Sequence, residues 1–68
     1  MDMIPAISSN ISAFGFEDGV LRVQFTSGSV YEYTGVPESV FEQMKTADSI
    51  GRFFNQNIKG AYPFQTVV

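Results

Sequence analysis

The sequence predicts an α+β fold, in which a three-stranded antiparallel β-meander is followed by two short α-helices. Period-2 apolar alternation fills the first half of the chain, an Asp-Gly pair interrupts that alternation, and the second half has helical apolar spacing. With 68 residues, 44% of them hydrophobic, the chain forms one small domain and is too apolar for a disordered segment.

The first two strands are predicted to form a hairpin whose turn is the Asp-Gly pair at 18–19. A type I′ turn needs positive φ at both central residues, and Asp-Gly is well suited to it. This turn places Phe16 opposite Leu21 and Phe14 opposite Val23, so one face of the hairpin carries the alternating apolar side chains.

The predicted third strand carries Tyr31 and Tyr33, and the loop before it decides which way they point. A two-residue turn places both tyrosines beside Arg22 on the outer face and puts Glu32 on the core face. A longer loop, with Gly28 in a left-handed bulge position, places the tyrosines on the core face instead. We favour the longer loop because burying Glu32 is costly, and the outward alternative stays open.

Two amphipathic helices are predicted in the second half. The first covers residues 37–46, with Pro37 at its first position. The second follows an Asp-Ser capping pair at 48–49 and ends before Gly60. The tail, residues 61–68, is apolar and β-prone, so it packs back on the sheet, adds a strand to an exposed edge of the chain itself or of a partner, or frays.

Composition excludes several function classes. The chain has no Cys and no His, which rules out disulfides, thiolate chemistry, the commonest metal ligands and the commonest general base. Its serines therefore lack an activating partner, and we expect no enzymatic activity, no cofactor and no metal. No apolar run suits a bilayer span and no secretory signal is present, so we expect a cytoplasmic protein. The net charge of −3 opposes non-specific nucleic-acid binding but permits a local basic patch.

A set of residues spread over positions 7–62 has a recognisable order and spacing. It comprises Ser8, Ser9, Asn10, Ile11, Leu21, Val23, Phe25, Gly28, Tyr31, Tyr33, Val36, Pro37, Ala47, Asp48, Ser49, Gly51, Phe54, Asn55, Ile58, Lys59 and Tyr62. With the Tyr-x-Tyr at its centre, this pattern resembles the KTSC domain, a module at the C-terminus of some lysyl-tRNA synthetases that also occurs as small free-standing proteins of bacteria and their phages. Phe16 departs from the pattern, since the resemblance leads us to expect tyrosine there.

Two groups of residues are candidates for a binding site. Tyrosines that face outward beside an arginine form a platform on which unpaired bases stack, whereas inward-facing tyrosines are core residues. The second helix carries a polar stripe with two cations, and a glycine near its start lets a ligand approach free backbone N–H groups; an ordinary solvated helix face explains the same stripe. The candidates are Arg22, Tyr31, Tyr33, Gly51, Arg52, Asn55, Gln56 and Lys59.

Three functional hypotheses follow. The synthetase context of the resembled family implies a non-enzymatic module that binds RNA. The second hypothesis is a protein-interaction module, such as a phage-encoded accessory or inhibitor protein, for which the apolar tail is an asset. The third is capture of a small nucleotide at the start of the second helix. A homodimer is also expected, because association covers apolar surface of a small domain.

Overall fold

The computed structural model describes residues 1–67 as a five-stranded antiparallel sheet and two helices. The strands are β1 (Ile4–Pro5), β2 (Ile11–Glu17), β3 (Val20–Phe25), β4 (Val30–Tyr33) and β5 (Phe64–Thr66), and the helices are α1 (Glu38–Lys45) and α2 (Ile50–Asn57). The strands lie side by side in chain order. The predicted α+β class is confirmed, whereas the predicted number of three strands is wrong.

The two additional strands come from the ends of the chain. β1 pairs with β2, where Ile4 lies opposite Phe14, and β5 pairs with β4, where Phe64 lies opposite Tyr33. Strands of two and three residues are too short to show period-2 alternation, so patterning misses them. Of the alternatives for the tail, the addition of a strand to an exposed edge of the chain's own sheet is therefore the correct one. Val68, the last residue of the tail, lies outside the described residues.

The predicted first hairpin is confirmed. Phe14 lies opposite Val23 and Phe16 opposite Leu21. The turn between them is the Asp-Gly pair at 18–19, with φ values of 52° and 80°. Positive φ at both central residues is what a type I′ turn requires, and it matches the twist of the two strands.

A β-bulge in β2 was not predicted. The register with β3 shifts between Ile11 and Ala13, so Ser12 is the additional residue of the bulged strand. Ile11 and Phe14 are three positions apart and would face opposite sides of a regular strand, yet both are buried in the core. The bulge thus turns Ile11 toward the helices.

The longer loop before β4 is confirmed. Gly28 has φ 100°, and its N–H donates to the carbonyl of Phe25 at 2.9 Å. Val23 therefore lies opposite Tyr31, which puts both tyrosines of β4 on the same face as the hairpin's apolar side chains. Tyr33 is buried and Tyr31 half-buried.

Both helices cover the apolar face of the sheet. Pro37 is the N-cap of α1 and not its first residue, so this helix begins one residue later than predicted. The Ser49 hydroxyl caps α2 by accepting from the Arg52 N–H at 3.2 Å. Neither helix, nor any other part of residues 1–67, offers a helix long and apolar enough to cross a membrane. The core consists of Ile11, Phe14, Leu21, Val23, Tyr33, Val36, Met44, Phe54 and Ile58.

Candidate functional site

A cleft of about 440 Å³ opens between the end of the sheet, α2 and two loops. Phe25 of β3 and both tyrosines of β4 line it from the sheet. Gly51, Phe54 and Asn55 line it from α2, and Lys59 follows just beyond the end of that helix. Concave sites of this kind, apolar with a few convergent polar groups, are where small ligands bind.

Five aromatic side chains, which we name the aromatic cluster, form a closed circuit at the cleft. Each contacts two others, with ring centroids 5.4 Å apart for Phe25 and Tyr31, 5.1 Å for Tyr31 and Phe64, 5.4 Å for Phe64 and Tyr33, 5.4 Å for Tyr33 and Phe54, and 5.5 Å for Phe54 and Phe25. Such offset and edge-to-face contacts hold the rings in fixed orientations. All members except Phe64 line the cleft, so its apolar wall is preorganised.

The polar stripe of α2 divides into two parts. Gly51, Asn55 and Lys59 recur at helical spacing and line the cleft, while Arg52 and Gln56, one position further round, do not. A Cβ on Gly51 would lie 3.1 Å from the Ser8 hydroxyl oxygen. The glycine therefore makes room for the loop before β2 and also lines the cleft, and the approach of a ligand to the N–H groups there stays a prediction.

Two loops form the polar rim of the cleft. The Thr26 N–H donates to the carbonyl of Asn10 at 2.8 Å, and the Thr26 hydroxyl donates to the carbonyl of Ser9 at 3.3 Å. These bonds tie the loop between β3 and β4 to the loop before β2. Ser27 and Ser29 complete the rim, so hydroxyls and the Asn10 amide surround the aromatic wall.

Arg22 lies on the opposite face of the sheet from the tyrosines. Its guanidinium donates to the carboxylate of Glu32, with 2.9 Å between Arg22 Nε and Glu32 Oε2. This hydrogen bond and charge hold the pKa of Glu32 below its ordinary value, against the opposing effect of burial, and Gln65 adds a smaller contribution in the same direction. The platform of tyrosines beside Arg22 is consequently not formed.

The described lining of the cleft carries a positive charge in a chain of net negative charge. Among its described lining residues, Lys59 is the one cation and there is no carboxylate. Within residues 1–67, no carboxylate lies within salt-bridge distance of Lys59. The described residues also contain no group of three acidic side chains that would hold a metal ion. The arrangement suits a ligand that carries negative charge and a planar apolar group.

Five of the eight candidates thus meet at one site. The cleft brings together Tyr31, Tyr33, Gly51, Asn55 and Lys59, and leaves out Arg22, Arg52 and Gln56. Sequence reasoning did not propose its other lining residues, which are Asn10, Ile11, Phe25, Thr26, Ser27, Ser29 and Phe54. The sequence feature that could have identified them is the loop length at Gly28, because it places β4 and its preceding serines next to α2.

The chain matches known proteins over most of its length. The family model of the KTSC domain matches residues 7–62. An uncharacterised protein from Stutzerimonas stutzeri is 39% identical over 87% of this chain and 86% of its own length. A lysine–tRNA ligase from Nostoc punctiforme is 46% identical over 84% of this chain, and the match covers 10% of the ligase.

A solved structure has the same architecture. The crystal structure of a KTSC domain protein from Yersinia pestis superposes with a TM-score of 0.94 and 35% sequence identity, covering 98% of this chain and 97% of that one. Sequence and structure therefore agree on the same relationship across nearly the whole molecule. This chain belongs to the KTSC domain family.

Proposed function

We propose that this protein is a non-enzymatic module that binds RNA in the cleft between the sheet and α2, in the cytoplasm of a bacterium or of a phage's host. The observation that carries the proposal is the meeting of an aromatic wall with Lys59 in a cleft whose described lining has no carboxylate. Bases stack on aromatic side chains, and cations contact phosphates.

The wider context supports RNA over other anions. Relatives named lysine–tRNA ligase act on a tRNA, and a segment similar to this chain makes up 10% of such a ligase. The net charge of −3 opposes a large electrostatic footprint, so the interaction depends on the local geometry of the cleft. A small, stacking-dominated contact is consistent with both observations.

Lys59→Gln tests the proposal, and Arg52→Gln is its control. Both variants remove one positive charge in or next to α2, but only Lys59 lines the cleft. We expect Lys59→Gln to weaken binding of a short single-stranded RNA by about tenfold and Arg52→Gln to change it by less than about twofold. The measurement is an NMR titration of ¹⁵N-labelled protein.

The outcome is judged by both location and affinity. Shifts at Gly51, Asn55 and Lys59, reduced in the Lys59→Gln variant alone, support the proposal. Equal weakening by both variants points to diffuse charge attraction and contradicts a site in the cleft. A spectrum that RNA leaves unmoved contradicts RNA binding itself.

A second candidate function is strand addition at the free edge of β5, by a protein partner or by a second copy of the chain. Phe64 and Val67 are 56% and 46% exposed there, which is unusual for large apolar side chains next to an open sheet edge. Thr66→Pro removes an outward-facing N–H and should abolish any self-association seen by analytical ultracentrifugation. Self-association that survives the substitution contradicts strand addition.

A further inference from the structure

The hydroxyl of Tyr33 keeps contact with solvent at the cleft and has no hydrogen-bond partner among residues 1–67. The residue as a whole is 3% exposed and lines the cleft. A hydroxyl that meets solvent in a cleft is free to donate a hydrogen bond to an acceptor of a ligand that enters the cleft. Burial, with the neighbouring Tyr31, raises the pKa of Tyr33, which keeps the hydroxyl a donor at neutral pH.

The polar lining can donate hydrogen bonds to a ligand that carries acceptors. Lys59 only donates, and Asn55, Ser27 and Ser29 each have a donor to offer. The aromatic wall alone would also suit a cation, by cation–π attraction. Lys59 repels such a ligand, and no described carboxylate in the lining compensates for it. A ligand that combines a planar ring with an anionic group satisfies both parts of the cleft.

The size of the cleft limits how much of an RNA chain it holds. Its volume of about 440 Å³ is near the lower end of small-molecule sites. With one lining cation, it also matches a single phosphate better than a run of them. We propose that the cleft receives one unstacked nucleotide, at an RNA end or looped out of a fold, with its phosphate at Lys59 and an acceptor bonded to the Tyr33 hydroxyl.

This inference rests on the proposed function, and a set of probes separates the two. The probes are a short single-stranded RNA, a blunt duplex of the same sequence, and the four nucleoside monophosphates, each titrated into the labelled protein. We expect at least one monophosphate to shift the same cleft resonances as the single strand, and the duplex to bind about tenfold more weakly. The logarithm of the affinity should fall with the logarithm of salt concentration with a slope of about −0.7, the value for one phosphate.

Tyr33→Phe tests the role of the hydroxyl, with Tyr62→Phe as its control outside the cleft. We expect the first to weaken monophosphate binding by about tenfold and the second to leave it unchanged. Equal affinities of the Tyr33→Phe variant and the wild type overturn the assignment of that hydroxyl. The duplex comparison and the salt slope need no variant, so they test the size of the ligand even where Tyr33→Phe does not fold.

The remaining outcomes separate the single-nucleotide inference from the proposed RNA-binding function. Single-stranded RNA that binds in the cleft with a steep salt slope, while every monophosphate fails, overturns the single-nucleotide inference and leaves RNA binding standing. Duplex that binds as tightly as the single strand has the same consequence. Failure of every RNA probe to move the cleft resonances overturns both.

Discussion

At the scale of single residues, the strand register decides whether Arg22 lies beside the tyrosines of β4 or pairs with Glu32. The two residues lie opposite each other on neighbouring strands, on the face of the sheet that the helices do not cover. Because Arg22 is engaged there, it is not available to the cleft on the other face. The pair instead makes a contribution to stability that depends on pH.

Glu32→Gln should remove that pH dependence. The pKa of Glu32 in the folded protein lies below its ordinary value of 4.5, so the carboxylate stabilises the fold above that value, and the stabilisation is lost as the pH falls through the folded pKa. We expect the wild type to be more stable than the variant near neutral pH and the two to converge in acid. The measurement is the urea midpoint as a function of pH.

Arg22→Gln provides the companion measurement, because it removes the same ion pair from the other side. It should reproduce the convergence in acid, and the double variant should show little additional loss at neutral pH. A difference between wild type and Glu32→Gln that is the same at all pH values would contradict this account.

At the scale of elements, the free edge of the sheet follows from the alternation of hydrogen bonds in β5. The Val67 N–H donates to the carbonyl of Val30 at 2.7 Å, and the Thr34 N–H donates to the carbonyl of Pro63 at 3.0 Å. The backbone hydrogen-bonding groups of the odd-numbered residues 63, 65 and 67 therefore face β4, and the N–H of Thr66 faces outward.

The pair of variants Gln65→Pro and Thr66→Pro tests this geometry through stability. Gln65→Pro removes an N–H that faces β4 and should destabilise the protein by about 1–3 kcal/mol, while Thr66→Pro should change the free energy of unfolding by less than about 0.5 kcal/mol. Denaturant unfolding measures both values. Equal losses from the two substitutions would contradict the assigned direction of the strand.

The shortest elements are also the ones that the sequence did not predict. In the hairpin from β2 to β3, the pairing of Phe14 with Val23 and of Phe16 with Leu21 was predicted correctly, because the Asp-Gly turn fixes the register next to it. The loop before β4 was predicted from the cost of burying Glu32. In contrast, the bulge at Ser12 depends on packing of Ile11 against the helices, and β5 depends on Phe64 reaching the tyrosines of β4. Tertiary contacts determine both, and neither has a local pattern.

The candidate site divides in the same way. Helical spacing placed Asn55 and Lys59 together, and the loop length placed both tyrosines on the helix side of the sheet. Spacing alone grouped Arg52 with Lys59, since the two share a polar helix face. Only the position of the cleft edge distinguishes Arg52 from Lys59, and that position depends on how α2 packs on the sheet.

At the scale of the whole molecule, the cleft and the core share their aromatic side chains. Phe54 is 5% exposed, belongs to the core, and contacts both Phe25 and Tyr33 in the aromatic cluster. A domain of this size has a total stability of roughly 3–10 kcal/mol, at about 0.05–0.15 kcal/mol per residue. A change at one such position is therefore comparable to the stability of the entire fold.

Phe54→Ala should leave a large fraction of the protein unfolded at room temperature, because truncating a buried Phe costs about 3–5 kcal/mol. Phe53→Ala is the matched control, since Phe53 is the preceding residue of α2 and is only half-buried. We expect that control to remain folded with a lower melting temperature. Circular dichroism measures both, and a cooperatively folded Phe54→Ala variant of near-native melting temperature would contradict the central role of this ring.

The closed aromatic cluster connects the apolar wall of the cleft to the C-terminal strand. Its members come from β3, β4, α2 and β5, so transient detachment of the three-residue β5 removes Phe64 from both tyrosines and opens the circuit. Short terminal strands are among the first parts of a protein to open locally. A ligand that prefers the closed circuit would shift this equilibrium toward the paired C-terminal strand by mass action.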